Sequence, residues 1–282
     1  MFILSRKLKC NNNLNQMQIY YLCLMDSQRF TFERKYYPAI LKELRRYGAS
    51  VAIQIEKGLT EPQVFLINGT FLSTQEMDKV LRRLWKDTGN YYIGKQSRSS
   101  KRLGIRGSIS DPISTDTWET ELDKFFNQGG TNKITTIVKT QQENIRGVIN
   151  KTIEEGVKNG DGMLNIKRDL VKKLKGKEWA LTSRFNASRI VQTEVSSSAS
   201  IAGFEQNKRL LGIVRKYWIH NGLGKPRLSH IDAASQYNKA NAIELDMPFM
   251  IDGGTPMMHP HDSMGGAANV INCYCTQGTV LA

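Results

Sequence analysis

The chain reads as an α+β protein that is mainly α-helical, with a long-helix core followed by a small irregular mixed α/β module at the C-terminal end. Three observations point there. From Thr131 to Val157 the apolar residues Ile134, Ile137, Val138, Ile145, Val148, Ile149, Ile153 and Val157 recur at steps of three, four and seven, which gathers them on one helix face. From Phe30 to Lys57, Phe32, Tyr36, Ile40, Leu41, Leu44, Val51 and Ile55 follow a similar rhythm. Beyond Gly212 the period is lost, and Gly253-Gly254, Pro256, Pro260 and Gly265-Gly266 punctuate short apolar runs.

In chain order, the stripe from Phe30 to Lys57 predicts a helix or a helix pair, with an interruption at Gly48. The run Val64 to Leu72 contains Asn68-Gly69, which favours a tight hairpin turn, and is read either as a short hairpin or as a helix connection. Ser73-x-x-Glu76 has the form of a capping box, and Met77, Val80, Leu81, Leu84 and Trp85 supply the buried face of the helix it opens. Residues 94–113, rich in Gly, Ser, Arg and Lys, read as an exposed connection. A helix from Thr115 to Asn127 stops at Gly129-Gly130. The long helix from Thr131 ends at Gly160-Asp161-Gly162, Leu164 to Leu174 forms a short second helix, and Trp179 to Leu211 a long third. Ser196, Ser197, Ser198, Ala199, Ser200, Ala202 and Gly203 on that third helix are small enough for another backbone to come close. Val214 to Ile219 and Val270 to Tyr274 are read as strands of the terminal module. The segments are therefore 1–25 as a tail or upstream extension, 26–130 as an N-terminal helical module, 131–211 as the long-helix region, and 212–282 as the C-terminal module. At 282 residues, several modules are expected rather than one core.

Charge bears on partners. The chain carries 40 Lys+Arg against 26 Asp+Glu, a net +14, and residues 131–227 alone hold 19 against 8. Nucleic acid is the first partner such a balance suggests. The cysteines Cys10, Cys23, Cys273 and Cys275 form no disulfide framework, which fits a reducing interior. The polar run Asn11, Asn12, Asn13, Asn15 and Gln16 breaks any export-signal core, and no stretch approaches the length of a membrane span.

Histidine and cysteine are scarce, four of each, yet six of these eight fall after residue 219. Cys273 and Cys275 with His230 offer three donors of the kinds zinc prefers, and His261, His259, His220 or Asp232 would make a fourth. The same clustering fits a module held by packing and hydrogen bonds without a metal. Arg189, Thr193 and Glu194 on the third helix are read as an internal ion pair and a helix contact that orient the C-terminal module, and Trp218 as core. Arg227, three residues before His230, would bind a phosphate or anchor the module through a carboxylate such as Asp232. Lys167, Arg168, Lys172, Lys173 and Lys175 line the short second helix as a contact for DNA or for an acidic protein partner, or as a solvated face.

The order of these features resembles the phage head morphogenesis family, the minor head proteins of Mu-like tailed phages. The resemblance is carried by the long helix, the Glu154-Glu155-Gly156 turn, the short Leu-rich helix, and Arg189-Ile-Val-Gln-Thr193-Glu194 with small residues after it. It continues through Lys216-Tyr217-Trp218, Arg227-x-x-His230 and the closing Asn272-Cys273-Tyr274-Cys275, and covers residues 131–282. Tyr274 stands where the family's closing motif usually has arginine. The resemblance implies a non-enzymatic minor capsid component present in few copies. Its partners would be the portal protein, other capsid components and packaged double-stranded DNA. It would lie inside the head near the portal, and in the host cytoplasm during assembly. The rival readings are a metal-dependent nuclease, built from Asp232, His259, His261 and Asp262, and a general DNA-binding protein. The spacing of those four matches no nuclease motif, and no helix-turn-helix, zinc-finger or ribbon signature is present.

Overall fold

The computed structural model describes residues 16–58, 60–102, 115–127, 131–209, 214–220 and 226–281. Helices make up 70% of it, with a few short antiparallel strands near the C-terminus, which is the mainly helical α+β class expected. The helices are α1 (Gln16–Glu56), α2 (Val64–Ile67), α3 (Gln75–Arg102), α4 (Thr115–Phe125), α5 (Thr131–Lys158), α6 (Met163–Lys175) and α7 (Lys177–Asn207). The strand β1 (Val214–Ile219), helix α8 (Leu228–Gln236), strands β2 (Ile243–Glu244), β3 (Phe249–Ile251) and β4 (Thr255–Met257), helix α9 (Gly266–Val270) and strand β5 (Thr276–Leu281) follow. Two compact units emerge, one from residues 1–33, 84–122 and 192–282, the other from 34–83 and 123–191. The boundaries fall inside helices, because a long helix can supply different stretches to different cores. Of the segment read as a tail or extension, residues 1–15 lie outside the described residues, and from Gln16 the chain is helical.

The all-helical unit, 34–83 and 123–191, is built on stripes. Ile40, Leu44, Tyr47, Val51 and Ile55 are buried along α1, Ile134, Val138, Ile145 and Ile149 along α5, and Ile166, Leu170 and Leu174 along α6. Each large side chain so buried stabilises the unit by about 1.5–3 kcal/mol before entropy is counted. The expected interruption at Gly48 does not occur. The glycine sits mid-helix because the Trp179 indole fills the space a side chain would take, and Trp179 Nε1–H donates to the Leu44 carbonyl at 3.1 Å. Gly156 likewise admits Ile166, so Glu154-Glu155-Gly156 is the last part of α5 rather than a turn. The turn comes at Gly160, whose φ of 74° suits glycine.

Of the two readings for Val64–Leu72, the helix connection forms and the hairpin does not. The backbone of this run is satisfied from α5 instead of by a ladder. Gln142 Oε1 accepts from Phe71 N at 2.8 Å and Leu72 N at 3.1 Å, and Arg146 donates to the carbonyls of Phe65 and Asn68. The capping box is half made. Ser73 Oγ accepts from Gln75 N at 3.3 Å, but Glu76 turns to Lys79 instead of reaching back.

In the other unit, residues 192–200 are buried without a break, and Ser198 Oγ donates to the Trp85 carbonyl at 2.9 Å, so the small residues do let the backbone of α3 come close. Gly89 serves the same end, with the Trp118 indole in its missing side-chain space. Residues 94–102, expected as an exposed connection, continue α3 to Arg102, and 103–113 lie outside the described residues, as does Gly129-Gly130. The third long helix ends at Asn207 rather than Leu211, and residues 210–213 are outside the described set.

The terminal module contains a three-stranded antiparallel sheet in the order β2-β1-β5, and a β3-β4 hairpin turning at Asp252, Gly253 and Gly254, all with positive φ. The strand expected at Val270–Tyr274 is replaced by the end of α9 and a turn, and the strand begins at Thr276 instead. Asn272, with φ 55°, is in the left-handed region that ends any strand there. Helix α8 was not anticipated, since its nine residues are too few for a periodic signal. The module core is Trp218, Ala233, Tyr237, Phe249, Ile251, Met257, Val270, Cys273 and Cys275. Lys216, two residues before Trp218 on β1, faces the same way and is fully buried. No helix among the described residues is long and apolar enough to cross a membrane.

Candidate metal centre

Three segments converge beneath β1. Helix α8 brings in His230, the segment after α9 brings Cys273 and Cys275, and the strand itself brings Trp218, whose ring meets that of His230 edge-on at 5.4 Å. The left-handed Asn272 folds the chain back on itself. Cys273 N donates to the Val270 carbonyl at 3.3 Å, and Cys275 N donates to Cys273 Sγ at 3.3 Å, an arrangement that places both sulfurs on one side of the turn. His230 Nδ1 lies 3.5 Å from each sulfur. All three donor atoms fall within 4.8 Å of one another, and all three residues are buried, so the group can hold a metal ion.

The distances suit a tetrahedral ion. With zinc–sulfur bonds of about 2.3 Å and zinc–nitrogen bonds of about 2.0–2.1 Å, a tetrahedron has a nitrogen–sulfur edge of roughly 3.6 Å, close to the two contacts His230 makes. The protonation pattern suits it as well. Asn269 Nδ2 donates to the Gly265 carbonyl at 3.2 Å, which turns its Oδ1 toward His230 Nε2, also at 3.2 Å. An amide oxygen can only accept, so His230 carries its hydrogen on Nε2 and presents the Nδ1 lone pair to the sulfurs. The Cys273 thiol is held well below its ordinary range, by its hydrogen bond with Cys275 first and by His261 and His230 after that, while burial opposes them. Cys275 moves the other way, raised by sharing that hydrogen bond and by burial. One thiolate is thus favoured even in a buried pocket, the state a metal requires.

The other proposed ligands are placed differently. His261 is buried beside the pair, with Nε2 3.2 Å from the Cys275 carbonyl, outside the close group of three. His259 is fully buried against Phe204, donates Nδ1–H to the Pro260 carbonyl at 2.9 Å, and is pushed down to about 4 by burial. His220, just after β1, is lowered chiefly by burial. Asp232 is exposed on α8. Asp262 caps the short 3-10 turn Ser263–Gly265, accepting from Met264 N at 3.0 Å and Met258 N at 2.7 Å.

Two of the motif residues, Thr193 and Arg227, reach the cysteine turn. Thr193 Oγ1 accepts from Asn272 N at 3.3 Å, which ties the cysteine turn to α7. Glu194 accepts the Trp85 indole N–H at 2.9 Å. Arg227 donates to the Ile271 carbonyl at 2.7 Å, so it anchors the same turn through backbone, not through Asp232. The Tyr274 ring lies beneath the Arg29 guanidinium, 5.7 Å from ring centre to charge. In the all-helical unit, the Arg189 guanidinium lies over the Phe185 ring at 5.4 Å. There also Lys167 pairs with Glu61, Lys173 with Glu155 and Asp169, and Lys175 with Glu56, while Arg168 and Lys172 are exposed.

Asn269 was not legible beforehand, because an asparagine among glycines and alanines reads as a turn residue. Its role depends on His230 being 39 residues away in sequence and in hydrogen-bond reach in space. No family model, curated protein or solved structure matches this chain.

Proposed function

We propose that the chain is a minor head protein of a tailed phage, associated with the portal and acting in head assembly and in packaging or ejection of DNA. The observation that carries this is the convergence of the family-like motifs. Thr193, Arg227, His230 and the Asn272-Cys273-Tyr274-Cys275 segment, spread over more than eighty residues, meet around one turn. Motifs that depend on one another in space are better explained by a shared ancestral module than by coincidence of short patterns.

The metal we assign to the centre is zinc in a structural role. Two thiols and an imidazole favour a borderline-soft ion over magnesium or calcium. All three donors are buried, as in the closed sites of structural zinc, which supports a scaffold over a nuclease. The basic face of α6 is proposed to meet packaged DNA or an acidic portal surface, with the exposed Arg168 and Lys172, which have no ion-pair partner among the described residues, as its contributors.

Quantitative mass spectrometry of purified virions and empty proheads tests the assignment. A few copies per particle, in both, are expected. Absence from mature particles, or metal-dependent DNA cleavage by the purified protein that disappears in His230→Ala, would replace this reading with the enzymatic one.

A further inference from the structure

The second buried histidine beside the cysteines repeats the arrangement of the first. His261 Nε2 faces the backbone carbonyl of Cys275 at 3.2 Å. A carbonyl oxygen can only accept, so Nε2 carries the hydrogen and Nδ1 is left as a lone pair. That Nδ1 is buried and has no hydrogen-bond partner. An unmatched acceptor in the interior is costly, and native structures rarely keep one without a ligand or ion to meet it. His230 shows the same pattern with its partner in place, since Nε2–H goes to Asn269 Oδ1 and Nδ1 points at the sulfurs.

The backbone gives a second, independent indication. His261 is 2% exposed and has φ 68°, a left-handed conformation disfavoured for a residue with a side chain. Glycine or asparagine would take this position with less strain, so the imidazole is what the position retains. The remaining histidines fit less well. His259 has its Nδ1–H committed to the Pro260 carbonyl and its ring against Phe204. His220 Nε2 also lacks a partner, but its ring is only half-buried and no acceptor fixes its tautomer among the described contacts.

We propose that His261 Nδ1 is the fourth ligand, completing a Cys273, Cys275, His230, His261 tetrahedral site, and that Asn269 and the Cys275 carbonyl are the acceptors that hold both imidazoles in the metal-binding tautomer. This rests on the zinc reading above and extends it. Three donors of the set already lie within 4.8 Å of one another, and the fourth is the unpartnered Nδ1 of the histidine held against the Cys275 carbonyl, which moves toward them when the ion binds. Asn269 is then a positioning residue, acting on the metal through His230.

The test uses the full chain with zinc(II) and cobalt(II) as probes. X-ray absorption of the zinc-loaded wild type is expected to count two sulfurs at about 2.3 Å and two imidazole nitrogens at about 2.0–2.1 Å. In competition titrations, Asn269→Leu should weaken zinc binding about 10- to 100-fold, the usual effect of removing a hydrogen-bond partner of a ligating histidine. Asn269→Asp, which keeps an acceptor for Nε2–H, should stay near wild type, a rescue that a purely packing role would not give. His261→Asn, chosen because asparagine accepts the left-handed backbone, should weaken binding by more than about 100-fold and abolish the intense tetrahedral cobalt bands. His220→Ala should match wild type in both measurements. A single imidazole in the absorption spectrum, or His261→Asn with unchanged affinity and cobalt spectrum, would overturn the fourth-ligand assignment even if a variant misfolds, since the first measurement needs no variant. Equal affinity of Asn269→Leu and wild type would remove the positioning role. Failure of the wild type to retain any metal would instead defeat the zinc reading itself and leave the minor head assignment standing.

Discussion

Replacing Lys216 with methionine removes one buried ammonium while keeping an unbranched chain of similar length. In the native module the Lys216 ammonium donates to the Met258 carbonyl at 2.7 Å and lies 5.0 Å from the ring centres of both Phe204 and Phe249. Burial outweighs the pull of Asp246 and Asp262 and lowers its pKa from 10.5 to about 8. That difference corresponds to about 3 kcal/mol of penalty on the charged form. Below pH 8 the folded and unfolded chains both bind the proton, and the penalty is present in full. Between pH 8 and 10.5 the unfolded chain still binds the proton that the folded protein has released, so stability rises with pH. Above 10.5 both are neutral and the penalty is gone. Loss of the hydrogen bond to Met258 offsets about 1–2 kcal/mol of the gain from removing the charge. Lys216→Met should therefore be more stable than wild type by roughly 1–2 kcal/mol at neutral pH, and the advantage should shrink by about 2 kcal/mol by about pH 9.5. Urea unfolding of both proteins across that range measures the difference, in which titrations common to both cancel. A difference that does not change with pH would show that the buried amine is neither desolvated nor charged as argued.

Four further outcomes are expected. Gly48→Ala should destabilise by about 1–3 kcal/mol despite alanine's better helix propensity, because the new carbon would lie 2.3 Å from Trp179 Nε1, and a gain in thermal stability would mean the indole moves freely aside. Trp85→Phe should cost about 1–3 kcal/mol by withdrawing a donor from the buried Glu194, and restoration by a paired Glu194→Gln would be the signature of that bond in a double-mutant cycle. Arg168→Gln with Lys172→Gln should reduce the salt slope of duplex DNA binding by about 2, whereas neutralising Lys167, Lys173 and Lys175 should change it little, since their charges are already met by Glu61, Glu155, Asp169 and Glu56; equal effects would show these ion pairs opening to DNA, and no duplex affinity at low salt would make α6 a protein-docking face. Chelation should lower amide-exchange protection around His230 and Cys273–Cys275 before that of α5 and α6, and simultaneous loss in both places would detach the metal from the module's stability.

The helical core was largely legible because its signal is local. The stripe Ile134, Val138, Ile145, Ile149 fixes which face of α5 is buried, and Gly160-Asp161-Gly162 fixes where it ends, whatever packs against it. The terminal module was legible in its residues more than in its elements. Cys273, Cys275 and His230 stand out by scarcity, but a nine-residue helix and strands of two or three residues carry too few periods to read. The two errors and the open choice have one cause. Gly48 and Gly156 read as breaks until Trp179 and Ile166 occupy their missing side chains, and Asn68-Gly69 leaves hairpin and helix connection equally open until Gln142 and Arg146 take over its backbone bonds.

The sequence by itself determined the class of fold, the long helices, the basic middle and the small set of residues from which a metal centre can be built, because each follows from spacing or composition within a short window. Tertiary structure decided which of those residues meet. It set His230 against the two sulfurs, enlisted Asn269 to hold its tautomer, left His261 with an unmatched nitrogen beside them, and paired off three of the five cations on α6. Such contacts join residues tens to more than a hundred positions apart, where side-chain direction depends on every packed element between them, and no short-range pattern encodes that.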